Sequence, residues 1–318
     1  MYKVGIIGLG VGEQHLQGFN LCKQTEVTMV CDFDKKKLSK ISKEYKIGNI
    51  SENWKEVTDS DAIDIIVIAT FDNFHAEQVS RAIKNGKHVF VEKPVCLTKE
   101  ELIQIKKIAR SRPEIIVGSN LVLRAEPRFQ KLQKRIERGE LGQIYHVSGS
   151  YDYGRLNKLT HGWRGKIDNY SVFAGGAIHL VDLTRWFLGE EIIFDFSRTS
   201  NLLTKPQNIL SPDFELHCGK TSKGTSVTIM SNYGSCTPHM HQLSIYGTKG
   251  TFFNHMGTGL YIFNREPEQV FEECEIVCPS APKYALVNDF VSAIKNKNNN
   301  FGLMEAPWQL AETCLWNT

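Results

Sequence analysis

The sequence predicts an α/β protein in two parts, a doubly wound parallel sheet followed by an α+β region whose sheet is mostly antiparallel. Three observations carry this. Up to Gly118, apolar runs alternate with helical runs, as strands covered on both faces alternate with their crossover helices. The first apolar run feeds directly into a glycine turn, and the second ends on an acid. From Ile192 onward, short runs separated by turn residues take over.

Lys3 to Ile7 reads as a buried strand, and Gly8-Leu9-Gly10-Val11-Gly12 follows it without a spacer. Glu13 to Cys22 is helical, with Leu16 and Phe19 on one face, and Val27 to Cys31 is a strand that stops at Asp32. Each part suits a dinucleotide. Glycines let the backbone approach a pyrophosphate, whose charge is met by free N–H groups and the positive end of the helix dipole. An acid about 20 residues further on accepts hydrogen bonds from the adenosine ribose, and Asp32 stands at that distance. Its charge repels a 2′-phosphate, so NAD is the expected cofactor; Lys35, Lys36 and Lys37 keep NADP open as the alternative. The third glycine, Gly12, arrives one place early for G-x-G-x-x-G, with Glu13 where a small residue belongs. Either the turn is one residue short or its first helical turn is offset.

The alternation then continues. Lys35 to Tyr45 and Asn53 to Val57 read as helices, and Asp64 to Ala69 as a strand. Ligands of open α/β sheets lie beyond the carboxyl ends of the strands, which places Thr70, Asn73 and His75 to touch the cofactor. His75 reads equally as a cap or surface residue of the helix through Ala82. Lys87 to Val91 is a strand, and Glu92-Lys93-Pro94 follows it. A lysine there is placed either as a catalytic amine near a nicotinamide or as a salt-bridge partner. Helix Lys99 to Arg110 and strand Glu114 to Gly118 complete the sheet.

The stretch Gly86 to Pro94, with the glycine turn and Asn73-Phe74-His75, resembles the Gfo/Idh/MocA oxidoreductases, a family of sugar, inositol and sugar-nucleotide dehydrogenases with a Rossmann domain. Glu92-Lys93-Pro94 is its most specific motif. The likeness continues through Gly118-Ser119-Asn120, Arg124 to Phe129 and Tyr246 to Thr251, and covers nearly the whole chain. It implies an NAD(P)-binding domain over residues 1–119 and a substrate-binding and oligomerisation domain over residues 120–318. One face of the second domain's large open sheet would pack on helices and the other on a neighbouring subunit, giving a homodimer or homotetramer.

In the second part, Pro127 to Arg138 is an amphipathic helix and Ile144 to Tyr153 a strand. The irregular stretch Gly154 to Val172 is long for a plain connection and reads as a binding loop. Within it Trp163-Arg164 offers a flat surface and a guanidinium for a sugar and its anionic group, or forms a stacked structural pair. Gly175 and Gly176 lead into a helix, Ala177 to Leu188, carrying His179, Asp182 and Arg185. Five short strands follow between Asp213 and Phe263, then helices from Lys283 to Lys295 and Pro307 to Trp316.

Oxidising a secondary alcohol requires a hydride acceptor, a base and donors that steady the oxygen. The resemblance carries the catalytic roles to Lys93 and His179, with the charge of oxidised nicotinamide lowering the lysine pKa. It assigns the cofactor to Gly8, Gly10, Gly12, Asp32, Thr70, Asn73, His75, Glu92 and Lys93. Asn120, Tyr153, Trp163, Arg164 and Asp182 are expected at the substrate. On its local pattern alone His179 reads as a satisfied core histidine; Asp182 either orients it or anchors the helix. Many relatives carry Asp or Asn four residues before that histidine, where this chain has Gly175. That puts the proton relay in doubt and makes Asp168 a replacement acid or, with Asn169, merely a turn. Two other readings stand beside the dehydrogenase: a redox-neutral NAD-dependent glycosidase, and a non-catalytic dinucleotide sensor.

Composition narrows the field further. Lys plus Arg number 38 against 35 Asp plus Glu, without the basic, aromatic-laced run that nucleic acid requires. The longest apolar run, Ile63 to Phe71, is too short to span a bilayer. Met1 leads directly into the first strand, so no targeting peptide is expected and the location expected is cytoplasmic. The final helical run stops at Thr318 without a cap, which suggests a chain that continues. Eight scattered cysteines form no C-x-x-C pair, and Cys274 and Cys278 lack nearby histidines, so free thiols and no metal are expected.

Overall fold

All four residues of the run Ile65–Ile68 are buried, as a strand covered on both faces must be. Around it the chain builds a wholly parallel sheet. In chain order the elements are β1 (Tyr2–Ile7), α1 (Gly12–Leu21), β2 (Thr25–Cys31), α2 (Lys35–Tyr45), β3 (Asn49–Ser51), α3 (Trp54–Asp59), β4 (Ile65–Ile68), α4 (Asp72–Lys84), β5 (His88–Val91), α5 (Lys99–Arg110) and β6 (Val117–Ser119). The strand order is β3-β2-β1-β4-β5-β6, which reverses direction between β1 and β4. That reversal opens the crevice in which α/β sheets bind ligands.

Local chemistry sets the helix ends. Asp34 caps α2 by accepting from the Lys36 and Lys37 amides, and Thr98 with Glu101 forms a capping box at α5.

This computed structural model describes residues 1–168 and 170–316. Asn169, Asn317 and Thr318 lie outside the described residues, and with them half of the expected Asp168-Asn169 turn and the chain end. Two compact units result: Met1–Val122 with Pro282–Ala311, and Leu123–Ala281 with the described residues from Glu312 on. The segment from Pro282 returns to the first unit because its apolar side chains find the first sheet. Phe290 meets Phe90 at 5.3 Å and Phe19 at 6.5 Å between ring centroids, and Gly118 leaves room for Phe290 and Met304.

The second unit holds α6 (Pro127–Glu137), β7 (Ile144–Asp152), α7 (Asn157–Thr160), α8 (Ile178–Leu188), β8 (Ile192–Ser200), β9 (Phe214–Thr221), β10 (Ser226–Asn232), β11 (Met240–Gly247), β12 (Gly250–His255), β13 (Thr258–Phe263) and β14 (Val270–Cys274). Two further helices are α9 (Val287–Asn296) and α10 (Trp308–Cys314). The sheet order is β14-β13-β12-β11-β7-β10-β9-β8. β7 and β10 run parallel, and the other neighbours pair antiparallel. Gly149 on β7 meets Leu180 of α8, which marks the helix-covered face.

Three strands absent from the expectations, β3, β8 and β14, all lie at sheet edges. Edges are half-solvated, so their side chains need not alternate cleanly; β14 buries only Cys274. Short irregular strands of this kind leave little periodicity to read.

Candidate active site

In the first unit the carboxyl ends of β1, β2 and β4 enclose a cavity of about 330 Å³. Gly8, Gly10, Asp32 and Thr70 line it together with Phe33, Lys37, Trp54, Phe71 and Phe74. Each glycine has its own reason. Gly8 has φ +86°, and a Cβ there would stand 2.5 Å from the Ala69 carbonyl oxygen. A Cβ on Gly10 would meet nothing within 4 Å, so the backbone at Gly10 faces open space. Gly12 packs on Ile6 and Ala69, where a Cβ would stand 3.2 and 3.3 Å from their side chains.

The early third glycine is thereby resolved. Helix α1 starts at Gly12 itself, so the close helix–strand approach falls there and Glu13 is only half-buried. Its N-cap, Val11, contributes no side-chain cap, and the positive end of a helix dipole suits an anionic group.

Asp32 is buried at the cavity wall. Its Oδ2 accepts from the Leu9 amide at 2.7 Å and its Oδ1 from the Asp34 amide at 2.9 Å. The carboxylate therefore braces the glycine turn as well as facing the cavity. Thr70 donates to Gln78 Oε1 at 2.8 Å. Asn73 is exposed on the first turn of α4 and does not line the cavity. His75 is fully buried, with Nδ1 2.6 Å from the Pro94 carbonyl oxygen and Nε2 3.3 Å from that of Thr70. It pins the loop after β4 to the segment after β5. Phe33, 75% exposed, leans toward Phe71 at 6.0 Å; Phe71 and Phe74 belong to the loop after β4 that the sequence places at the cofactor, whereas Phe33 and Trp54 carry no motif and the sequence reading passed over them.

Glu92 sits directly after β5, ahead of Lys93, in a second cluster of the same unit. His15 Nε2 and Asn120 Nδ2 each lie 2.8 Å from Glu92 Oε1, and Asn120 also donates to the Lys283 carbonyl at 3.1 Å. Burial alone would raise this carboxyl, but hydrogen bonds from His15 and Asn120 and the charge of Lys93 outweigh it and hold the pKa at about 2. An ionised carboxylate is thus fixed one residue before Lys93. Asn120 serves this bracket, and His15 was missed, although its spacing from Phe19 puts it on the buried face of α1.

In the second unit His179 is buried on the first turn of α8. Its ring stands 5.5 Å from His241, edge to face, and His241 stands 5.0 Å from Tyr151. β11 pairs His241 directly with Tyr151 on β7, so both face α8. Tyr153 stacks on Tyr151 at 5.6 Å, with Tyr233 and His239 completing the cluster. Tyr233, His239 and His241 were not singled out from the sequence; the alternation of His239 and His241 before an apolar strand was the available signal.

Asp182, also on α8, is held by Arg124 through contacts of 2.9 and 2.6 Å, with both side chains buried. The pair anchors α8 to the segment before α6. Trp163 and Arg164 stack at 4.3 Å, and Arg164 Nε donates to Tyr170 Oη at 3.2 Å. Asp168 is exposed. Among the described residues no group of three His, Cys, Asp or Glu side chains could hold a metal ion, and no helix is long and apolar enough to cross a membrane.

A doubly wound parallel sheet whose glycine turn and buried acid meet at one cavity, beside a helix start without a side-chain cap, defines a dinucleotide-binding protein. Residues 2–119 match the family model described as "Oxidoreductase family, NAD-binding Rossmann fold", and residues 129–253 match the GFO/IDH/MocA C-terminal domain. The chain belongs to the Gfo/Idh/MocA oxidoreductase family, with NAD as its cofactor. It is 26% identical over 262 residues to scyllo-inositol 2-dehydrogenase (NAD(+)) of Bacillus subtilis, covering 79% of this chain and 73% of that one. Its fold is shared by myo-inositol 2-dehydrogenase of Lactobacillus plantarum (TM-score 0.82, 22% identity, 99% of this chain and 94% of that one). Levoglucosan dehydrogenase in complex with NADH shares it too (TM-score 0.85, 18% identity, 98% and 95%).

Proposed function

We propose that this oxidoreductase transfers a hydride between NAD and a secondary-alcohol carbon of a sugar, polyol or nucleotide sugar, with Lys93 and His179 as its acid and base. The observation that carries the reading is the Glu92 bracket. Three side chains from separate segments, His15, Asn120 and Glu92 itself, are spent on fixing the backbone at Lys93. Such an arrangement suits an amine whose position matters to chemistry. When bound, NAD supplies the hydride acceptor. Lys93 or His179 then takes the one hydroxyl proton on oxidation and returns it on reduction, while the other steadies the oxygen. Inositol and levoglucosan dehydrogenases among the similar proteins support an alcohol of this class.

The same reading assigns the cavity-lining Gly8, Gly10, Asp32 and Thr70 to the cofactor, with Gly12, Asn73, His75, Glu92 and Lys93 shaping its site. It divides the labour between an NAD-binding region, residues 1–119, and a substrate-binding and oligomerising region, residues 120–318. Exposed apolar side chains on the second sheet, Tyr145, Ile193 and Phe196, support a homo-oligomer through that sheet; the location proposed is cytoplasmic. The test is Lys93→Ala. Nicotinamide reduction should fall by about a thousandfold or more while NAD still binds, and a variant that keeps wild-type turnover refutes the assignment.

A further inference from the structure

Ahead of His179 the chain makes one wide turn, Phe173–Ala177, in which the Ile178 N–H donates back to the Phe173 carbonyl, five residues away. All of Phe173–Ala177 is buried. Single turns of this kind are rare and recur at functional sites. Closure four residues back, as in the α8 that follows, would shift the helix by one residue, about 100° around its axis. The direction in which α8 presents His179, on its first turn, therefore depends on how the wide turn is held.

Two neighbouring strands hold it. Register sets Glu215 of β9 opposite Ser231 of β10, and both side chains are buried. Glu215 Oε1 accepts from the Phe173 N–H and from the Ser171 hydroxyl, each at 3.1 Å, and the same hydroxyl accepts from the Ala174 N–H at 3.0 Å. Ser231 donates to the Val172 carbonyl at 2.7 Å. The other oxygen of Glu215, Oε2, lies 3.3 Å from His217 Nε2. Trp316 fixes the sense of that bond. Its indole N–H can only donate, and it lies 2.8 Å from His217 Nδ1. Nδ1 is thus the acceptor, Nε2 carries the proton, and His217 donates to Glu215. The His217 ring also stacks on Phe173 at 3.8 Å. Each oxygen of Glu215 therefore receives an N–H, which a carboxylate satisfies and an amide does not, since its NH₂ would face one of the two donors.

We propose that Glu215 is a positioning residue for His179, acting through the wide turn, with His217 and Trp316 holding the carboxylate in place. This rests on the reading of His179 as an acid or base and goes beyond it by naming what sets the imidazole's direction. Proton transfer needs its partners within hydrogen-bond reach, so a rotation of α8 that moves the imidazole by about 1 Å lowers turnover directly. Glu215 acts at the first amides of the segment that carries His179, where a change of closure has its largest effect on everything that follows.

The experiment follows Glu215→Gln in the full chain by two readouts, the proton magnetic resonances of the His179 ring and nicotinamide reduction, the second also in a His179→Ala background. The ring protons, identified by their loss in His179→Ala, feel the ring current of His241, 5.5 Å away. They should shift in Glu215→Gln, and kcat should fall by roughly tenfold or more while the Kd for NAD stays unchanged. In the His179→Ala background Glu215→Gln should lower kcat no further, because it acts only through the missing imidazole. Ser171→Ala, which releases the Ala174 N–H and keeps the carboxylate, should shift the same resonances and carries the test if Glu215→Gln does not fold. Unmoved resonances in a folded variant, wild-type kcat in Glu215→Gln while His179→Ala is impaired, or an equal loss of kcat with and without His179 would refute the positioning role. The resonances are read without substrate and so test it even where turnover fails. Shifted resonances together with wild-type turnover in His179→Ala would uphold the hold on the ring and overturn His179 as acid or base.

Discussion

The phenolic oxygen of Tyr170 occupies the space that a side chain at Gly175 would fill. Position 175, four residues before His179, is empty of side chain because another polar group already stands there, itself hydrogen-bonded by Arg164. Gly175→Ala should therefore overpack a buried contact and destabilise the protein by about 1–3 kcal/mol. Adding Tyr170→Ala should relieve the overlap, so that the double variant is more stable in urea unfolding than the two single losses summed. Additive losses would show that the two residues do not compete for one space.

Glu92 predicts a pH effect. Its carboxyl is held at about 2, below its ordinary 4.5, so its contribution to stability is fully present above the ordinary range and is lost as pH falls toward about 2. Stability measured by denaturant from pH 6 down to 2.5 should drop less steeply in Glu92→Gln than in the wild type. At neutral pH the same variant should cost about 1–3 kcal/mol, because His15 loses a charged acceptor.

Arg124 and Asp182 predict an asymmetry. Removing one partner strands a buried charge, so Arg124→Met should destabilise by about 3–5 kcal/mol, while Arg124→Met with Asp182→Leu should regain much of that loss. Equal destabilisation of the single and double variants would mean that the pair is not what anchors α8.

Asp32 both faces the cavity and accepts the Leu9 amide. Asp32→Asn keeps the shape and removes the charge. NAD affinity, followed by nicotinamide fluorescence, should fall by roughly tenfold, and NADP should be the less penalised of the two cofactors. An unchanged preference for NAD would remove Asp32 from cofactor choice.

Much of the first unit was legible because its chemistry is local. α2 and α5 run between the residues that their periodicity and caps indicate, Lys35–Tyr45 and Lys99–Arg110. β4 and β5 announce themselves by unbroken apolar runs. What stayed hidden depends on contacts far apart in sequence. The return of Phe290 to Phe19 and Phe90 is a tertiary event, and so is the meeting of His15 with Asn120 on Glu92. In the second unit the helix of His179 was readable from its apolar stripe, but the reason for Gly175 lay in the packing of Tyr170. His241 gained meaning only when the register of β11 set it opposite Tyr151. Arg155 and Arg164 were separate loop residues until the fold set one over the Tyr153 ring and the other on the Tyr170 hydroxyl.

The central claim is most directly tested by following NAD reduction at the nicotinamide absorbance band with purified protein, across polyols, aldoses, uronates, sugar phosphates and nucleotide sugars. The account predicts steady reduction with at least one of these classes, abolished in Lys93→Ala although NAD still binds. Silence across every class, with NAD shown to bind the wild type, would contradict it.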